Sequence, residues 1–353
     1  MYKTNILFQP VLLLTDIIGY IPFFWLKFKR FKEPKRILLI RLEHIGDVLL
    51  TTPAFRALRK RFPNAQIDVL VREFTAPVLQ KNISNVIVWN APWLSNIGKK
   101  DSWSSVRRMI LKLRKNKYDL AIDFHGDPRN ILFATKVAKY RVGFGCRGFG
   151  FLLNKVVPYG KQHVISRNLS LAKAVGANVS DKRMELNLSA SDERFAKSAL
   201  KGAVKPVMIA AGSGRRQKNW IDSRWAEVAD KLIEKGATIV LVGSKGEAEM
   251  VKCIQDQTHY SEKIINLCGK TTITQLAGVI KHCKLVLGPD SGPMHIARAL
   301  NTPLLGLYFV DSPREWGYNE PKFQNIKQDK PKNITADAVL NKIRSMKVGR
   351  RCF

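Results

Sequence analysis

The sequence predicts an α/β protein of two Rossmann-like, doubly wound units in tandem, and three observations carry that expectation. Short apolar runs of strand length alternate with amphipathic helical stretches, the pattern of a parallel sheet with right-handed crossovers. The pattern occurs twice, separated by a polar stretch near residues 181–205. The chain has 353 residues, 45% of them hydrophobic, enough for two ordinary cores rather than one. Two such units in tandem are expected to face each other across a cleft at their strand C-terminal ends, where ligands usually bind.

Arg36–Arg41 is a short apolar run, read as a buried parallel strand. Residues 42–52 read as a loop turning into a helix, with Pro53 in its first turn. Ala54, Phe55, Ala57, Leu58 and Phe62 share one helical face, with Arg56, Arg59, Lys60 and Arg61 mostly off it. Residues 66–71 and 118–123 are further strands. In the second half, strands are expected over 206–211, 237–242, 284–288 and 303–309. Helices are expected over 224–235, stopped by Gly236, and over 294–300. The domain division is accordingly 1–35, 36–182, 183–340 and a basic tail, 341–353.

The formal charge of +32 attracts polyanions: nucleic acid, anionic lipid or a phosphorylated substrate. Ile6–Leu26 is mostly apolar but contains Gln9, Pro10, Asp16, Gly19 and Pro22, and Lys27, Lys29, Arg30, Lys32, Lys35 and Arg36 follow it. Its order of basic and apolar residues reverses that of a secretory signal. An interfacial segment backed by a polybasic stretch is the favoured reading. A spanning anchor and a segment packed on the protein's own surface stay open. Cys146, Cys253, Cys268, Cys283 and Cys352 are scattered and odd in number, as reduced cytosolic thiols are.

Four loops carry chemistry. In His44-Ile-Gly-Asp47, Gly46 is expected to let the backbone turn tightly, and Asp47 is either a helix cap or a general base for a hydroxyl nucleophile. In Gly288–His295, Asp290, Ser291 and Gly292 lie at a helix N-terminus, where unpaired N–H groups and the helix dipole attract an anion, with His295 about one turn in; a capped turn is the bland alternative. Gly212–Trp220 is a glycine-bearing basic loop in which Lys218 can neutralise a diphosphate, unless it is merely solvated. Gly243–Glu247 puts a carboxylate where such folds commonly bind ribose, or where a surface helix begins. Other matches fail. Gly269-Lys-Thr271 has Ile264 where a phosphate loop needs glycine, and Gly143–Gly148 is a glycine-rich turn with no clear helix after it. No Asp-x-Asp, HExxH, Cys/His cluster or GxSxG context suggests a metal or a serine nucleophile.

Together the run from Arg36 through His44-Ile-Gly-Asp47 to Pro53 and the stretch from Leu267 through Asp290-Ser-Gly-Pro-Met-His-Ile-Ala297 to Pro303 resemble glycosyltransferase family 9, with the Gly212–Trp220 loop and Asp123–Arg129 also fitting. The resemblance covers about residues 36–310. It implies a GT-B fold and inverting transfer from a nucleotide sugar, usually ADP-heptose, to a lipopolysaccharide-type acceptor without a cofactor. Carried onto this chain, it implies Asp47 as base and Gly46, Asp123 and Arg129 on the acceptor side. Ser213 and Lys218 would contact the diphosphate, and Glu247 the ribose, with Glu249 near enough to compete. Asp290, Ser291, Gly292 and His295 would form the donor junction. The apolar N-terminal segment departs from the family pattern, which begins near the first strand. Expected partners are the nucleotide sugar, an anionic glycolipid and the inner face of the cytoplasmic membrane. Nucleic acid is not expected: the basic runs at Lys99–Lys117 and Lys342–Arg351 match no nucleic-acid module. A family-like binder without catalysis is a further rival, against which intact Asp47 and Asp290 argue, and a transferase using another nucleotide sugar for a cell-surface glycan is the alternative enzyme.

Overall fold

Each half of the computed structural model is built on a six-stranded sheet whose strands all run parallel. Residues 9–79, 82–94 and 100–346 are described. Residues 1–8, which include the first three of the apolar segment, Lys99, and the tail from 347 with Cys352 lie outside them. The chain divides into two compact units, Met1–Met184 and Glu185–Phe353.

The first unit opens with helix α1 (Gln9–Phe23) and a 3-10 segment, Phe24–Phe28. Its strands are β1 (Arg36–Arg41), β2 (Gln66–Val71), β3 (Asn85–Val88), β4 (Tyr118–Asp123), β5 (Ala138–Gly143) and β6 (Lys155–Val156), in the order β3-β2-β1-β4-β5-β6. The helices between them are α2 (Ile45–Leu49), α3 (Thr52–Arg61), α4 (Ser104–Arg114), α5 (Pro128–Val137) and, after β6, α6 (Val164–Lys173). β1 lies in the middle of its sheet, so both its faces are covered, which is why Ile37, Leu38, Leu39 and Ile40 are all inaccessible. Each such side chain contributes about 1.5–3 kcal/mol by leaving water. On α3 the expected apolar face is buried, but so is Arg56, which reaches Asp181 Oδ1 at 3.0 Å and the Arg183 carbonyl at 2.7 Å. Helical periodicity could not register this, because the segment that covers Arg56 arrives after α6.

The second unit repeats the plan. It holds α7 (Ala190–Ala199), β7 (Val207–Ile209), α8 (Asp222–Ile233), β8 (Ile239–Leu241), α9 (Ala248–Asp256), β9 (Ile264–Asn266), α10 (Ile273–His282), β10 (Leu285–Pro289), α11 (Gly292–Ala299), β11 (Leu304–Tyr308), α12 (Pro313–Trp316), β12 (Phe323–Lys327) and α13 (Ala336–Ser345). The sheet order is β12-β11-β10-β7-β8-β9. Renumbered from its own first strand, this is the order of the first unit. In both, the strand order reverses beside the first strand, between β1 and β4 and between β7 and β10, and loops at such a reversal leave a crevice for ligands. Trp225 on α8, packed edge-on to Trp220 at 4.8 Å, anchors the core beneath the sheet.

Some boundaries differ from expectation. α11 starts two residues early because Pro293 is accommodated in its first turn. Gly46 is not in a tight turn: α2 begins at Ile45, so Gly46 is a buried helical residue without a positive φ. β10 has no room for a side chain at Gly288, where a Cβ would lie 2.6 Å from the Ala210 carbonyl oxygen. A Gly288→Ala variant is therefore expected to lose about 1–3 kcal/mol by overpacking. Urea unfolding measures this, and an unchanged midpoint would show that the β7–β10 spacing is not tight.

Candidate functional site

In the first unit the chemistry gathers where β1 and β4 end. Asp47 sits in the first turn of α2, where its Oδ2 accepts the His44 backbone N–H at 3.2 Å, the reciprocal arm of a capping box. Its Oδ1 accepts from Arg41 Nη2 at 3.0 Å. Arg41, the last residue of β1, is buried and also donates to the Phe124 carbonyl at 2.7 Å. Its Nη1 lies 2.5 Å from Glu43 Oε2, so one guanidinium serves two carboxylates. Burial raises the Asp47 pKa and the negative charge of Glu43 raises it further, against the opposing pull of Arg41. Asp47 thus caps its helix and also has the raised basicity of a proton acceptor.

Glu43 Oε1 is 3.1 Å from His125 Nε2, which in turn lies 2.6 Å from Arg147 Nη1. Burial, then the charges of Arg147 and Arg41, depress His125 to about 3, so the ring is neutral at neutral pH. Asp123, at the end of β4, is buried and accepts from the Gly126 N–H at 2.7 Å and from Asn130 Nδ2 at 3.2 Å. Burial pushes its pKa up to about 7 despite these donors. Its contacts hold the 123–130 loop. Gly126 there has φ +75°, and a Cβ would meet the Phe144 carbonyl oxygen at 2.7 Å. Arg129 forks onto Asp127, with Nε–Oδ1 at 2.9 Å and Nη2–Oδ2 at 2.7 Å, and its side chain is half exposed.

In the second unit the residues group around Asp290, just after β10. Lys218 Nζ bridges Asp290 Oδ2 at 2.7 Å and Asp311 Oδ2 at 2.5 Å. Burial alone would raise the Asp290 carboxyl, but His295 and Lys218 outweigh it and hold the pKa down at about 2. His295 places Nε2 3.4 Å from Asp290 Oδ1 and Nδ1 2.8 Å from the Tyr318 hydroxyl. Ser291 precedes Gly292 at the start of α11, and its buried hydroxyl has no hydrogen-bond partner among the described residues. A buried hydroxyl left unpaired costs about 1–3 kcal/mol, which a bound polar ligand would recover.

Ser213 and Glu247 lie on the neighbouring loops after β7 and β8. Ser213 Oγ is 2.8 Å from both the Arg215 carbonyl oxygen and Asn219 Oδ1. Glu247 Oε2 accepts from the Ser244 N–H and hydroxyl, each at 2.7 Å, while its Oε1 leans over Gly212, where a Cβ would come within 2.0 Å of it. A side chain at Gly212 would push the Glu247 carboxylate aside. Glu249 is exposed on the first turn of α9.

The structure therefore brings Asp47 and Gly46 together on α2 and Asp290, Ser291, Gly292, His295 and Lys218 together around α11. Asp123 is tied up in its loop and Arg129 in Asp127. Sequence reasoning missed Arg41, Glu43, His125 and Arg147 in the first unit and Asp311 and Tyr318 in the second. Glu43 and His125 left a faint signal, as polar residues just past apolar strands. Arg147, Asp311 and Tyr318 reach their partners only through the folded chain. Among the described residues, no group of three or more His, Cys, Asp or Glu side chains is placed to hold a metal ion.

Comparison with known proteins agrees with this layout. Residues 106–342 match the model of glycosyltransferase family 9 (heptosyltransferase). The lipopolysaccharide core heptosyltransferase OpsX of Haemophilus influenzae is 27% identical over 291 residues, covering 80% of this chain and 81% of that protein. Lipopolysaccharide heptosyltransferase 3 of Escherichia coli is 28% identical over 302 residues, covering 81% and 85%. Among solved structures, E. coli ADP-heptose lps heptosyltransferase II has the same fold, with a TM-score of 0.74 at 23% identity, covering 90% of this chain and 99% of that one. The fold is GT-B.

The neutral His125 has a consequence for acid stability. Between about 3 and its ordinary 6.5, the unfolded chain binds a proton that the folded chain refuses, so stability rises with pH and is lost as pH falls through that window. A His125→Gln variant is expected to lose less stability between pH 7 and pH 4 than the parent in urea titrations. An unchanged slope would mean His125 is charged in the fold.

Proposed function

Since the chain belongs to glycosyltransferase family 9 (heptosyltransferase), we propose that it is an inverting glycosyltransferase moving a heptose from ADP-heptose to a lipopolysaccharide core or lipid A-type acceptor, with Asp47 as the base. The observation that carries the assignment of the base is the Asp47 carboxylate itself, set past β1 at the strand-order reversal with its basicity raised by burial and Glu43. A sugar hydroxyl is a poor nucleophile, and a carboxylate of raised pKa takes its proton more readily as the new bond forms.

In this reading the first unit holds the acceptor, with Gly46 and Arg129 beside it and Asp123 keeping the Arg129 loop in shape. The second unit holds the donor. The acceptor oxygen attacks the anomeric carbon from the face opposite the diphosphate, its proton passes to Asp47, and the carbon–oxygen bond to ADP breaks with inversion. Negative charge collects on the leaving diphosphate, where Ser213, Lys218, the Ser291 hydroxyl and the N–H groups starting α11 stabilise it. Asp290 repels phosphate, so its task is to accept hydrogen bonds from sugar hydroxyls, with His295 and Lys218 holding it ionised. Glu247, beside Gly212, takes the ribose. No cofactor is required.

The acceptor is an anionic glycolipid, so the enzyme works in the cytoplasm at the inner face of the cytoplasmic membrane, a partner that suits a charge of +32. By the same division of labour, residues 36–182 form the acceptor domain and 183–340 the nucleotide-sugar domain, with 1–35 membrane-associating and 341–353 a basic tail.

Thermal shift against ADP-, UDP- and GDP-sugars tests the donor, because a ligand that binds only the folded state raises the melting temperature. ADP-heptose is expected to stabilise, and preferential stabilisation by a UDP- or GDP-sugar would favour the alternative of another nucleotide sugar and a different surface glycan. Asp47→Asn is expected to lower kcat by roughly 10²–10⁴-fold with little change in donor affinity. Full activity in that variant would remove Asp47 from the reaction. Because its pKa is raised, the parent's rate should fall on the acid side at a higher pH than an ordinary carboxylate would dictate, and a pH–rate profile reads this directly.

A further inference from the structure

The two faces of α1 differ in what they touch. One is docked on the first unit through the turn that follows β5. Phe23 stacks on Phe151 at 5.5 Å, and Gly19 lies so close to that ring that a Cβ would come within 2.5 Å. Lys27 Nζ donates to the carbonyls of Gly150 at 3.2 Å and Leu153 at 2.6 Å, and Asn154 Nδ2 donates to the Leu26 carbonyl at 3.0 Å. Phe31 then packs between Phe62 and Tyr140. Residues 19–31 are thus held against the first unit along their length.

The other face is apolar and open. Leu14, Ile17, Ile18, Ile21, Trp25 and Phe28 are all exposed, Ile21 to 79%. Leu14 pairs with Ile17 and Ile18 at three and four residues, Ile21 follows those two at four and three, and Trp25 and Phe28 continue at four and three, which makes one stripe along the helix and the 3-10 segment. Phe24, edge-on to Phe28 at 4.7 Å, widens it. Single exposed apolar residues are ordinary, but a contiguous stripe marks a surface that something covers. The exposed cations Lys29, Arg30, Lys32, Lys35 and Arg36 follow directly, and the one acid among them, Glu33, is already paired with Arg61. An apolar stripe with aromatic members, continued by cations, complements the anionic surface of a bilayer. At 15 residues α1 is about 22 Å long. No helix among the described residues is long and apolar enough to cross a membrane.

The same turn has a second partner. Arg147 lies between Gly145 and Gly150 in the chain and reaches His125 Nε2 at 2.6 Å, and His125 faces Glu43, which shares Arg41 with Asp47. We propose that the open face of α1 and the Phe24–Phe28 segment seat the first unit in the plane of an anionic bilayer. The turn over residues 144–153, gripping α1 on one side and His125 on the other, then holds the Asp47 network at a set height above that surface. The second statement rests on the acceptor being a membrane glycolipid, as proposed above; the first does not.

The experiment uses the full chain with vesicles of phosphatidylethanolamine and phosphatidylglycerol, and with phosphatidylcholine vesicles for comparison. The parent protein is expected to sediment with the anionic vesicles, and the Ile21→Glu/Trp25→Glu variant to bind at least about tenfold more weakly with an unchanged melting temperature. A Lys29→Glu/Arg30→Glu variant, which leaves the stripe intact, should lose binding most at low salt. Both variants should keep transfer to a water-soluble, deacylated core acceptor and lose it to the same acceptor embedded in vesicles. Undiminished vesicle binding by both variants overturns the docking. So does a parent dimer that binds no vesicles and dissociates on Ile21→Glu/Trp25→Glu, since the stripe would then be a self-association surface. Equal loss on soluble and embedded acceptors overturns the link to Asp47. Vesicle binding without transfer to any acceptor would refute the enzymatic reading while leaving the docking intact.

Discussion

In a sheet whose strands all run the same way, every crossover returns along the outside and every strand delivers its following loop to one edge. That constraint governs the chemistry of this chain. Asp47 follows β1, the Asp123–Arg129 loop follows β4, the Gly212–Lys218 loop follows β7, Glu247 follows β8, and Asp290 follows β10. Because the strand order reverses beside β1 and β7, the loops on either side of each reversal diverge in opposite directions and leave room between them. The two units therefore gather polar side chains by the same geometric device, although the residues they gather differ.

Within that frame, buried charge is matched locally rather than left to solvent. Arg41 is enclosed by its own strand and by Phe124, and divides its guanidinium between Glu43 and Asp47. Lys218 divides its ammonium between Asp290 and Asp311. Each cluster sets one long cation between two carboxylates and adds an imidazole beside one of them. In the first unit burial and Glu43 win, and Asp47 is more basic than usual. In the second, His295 and Lys218 win, and Asp290 is held as a carboxylate. The difference comes from the neighbours, since both side chains are buried aspartates.

Much of the scaffold could be read from the chain alone. Arg36–Arg41 and Tyr118–Asp123 read as strands because a strand buried on both faces needs a continuous apolar run, and those runs are short and bounded. Asp290-Ser-Gly-Pro read as a loaded helix start because proline and glycine mark the junction whatever surrounds it. Reading failed where the outcome depended on a distant segment. Arg56 looked like a surface residue until residues 181–183 covered it, and Gly46 looked like a turn until α2 absorbed it. The N-terminal stretch was legible as an apolar, interfacial segment, but only its docking on Phe151 shows which half of it is spoken for.

The sequence by itself determined the doubly wound α/β plan, the repetition of that plan, and the loops on which Asp47, Lys218 and Asp290 would stand. Those follow from periodicity and from glycine and proline placement, which act over a few residues. Only the tertiary structure decided what these groups are worth. Whether an aspartate is basic or ionised depends on which cation, carboxylate or imidazole lies within about 3 Å and on how much water is excluded. Arg147 lies 22 positions from His125 in the chain, and Lys218 lies 72 from Asp290. Local pattern carries no trace of contacts at that separation, because folding, not sequence spacing, brings them together.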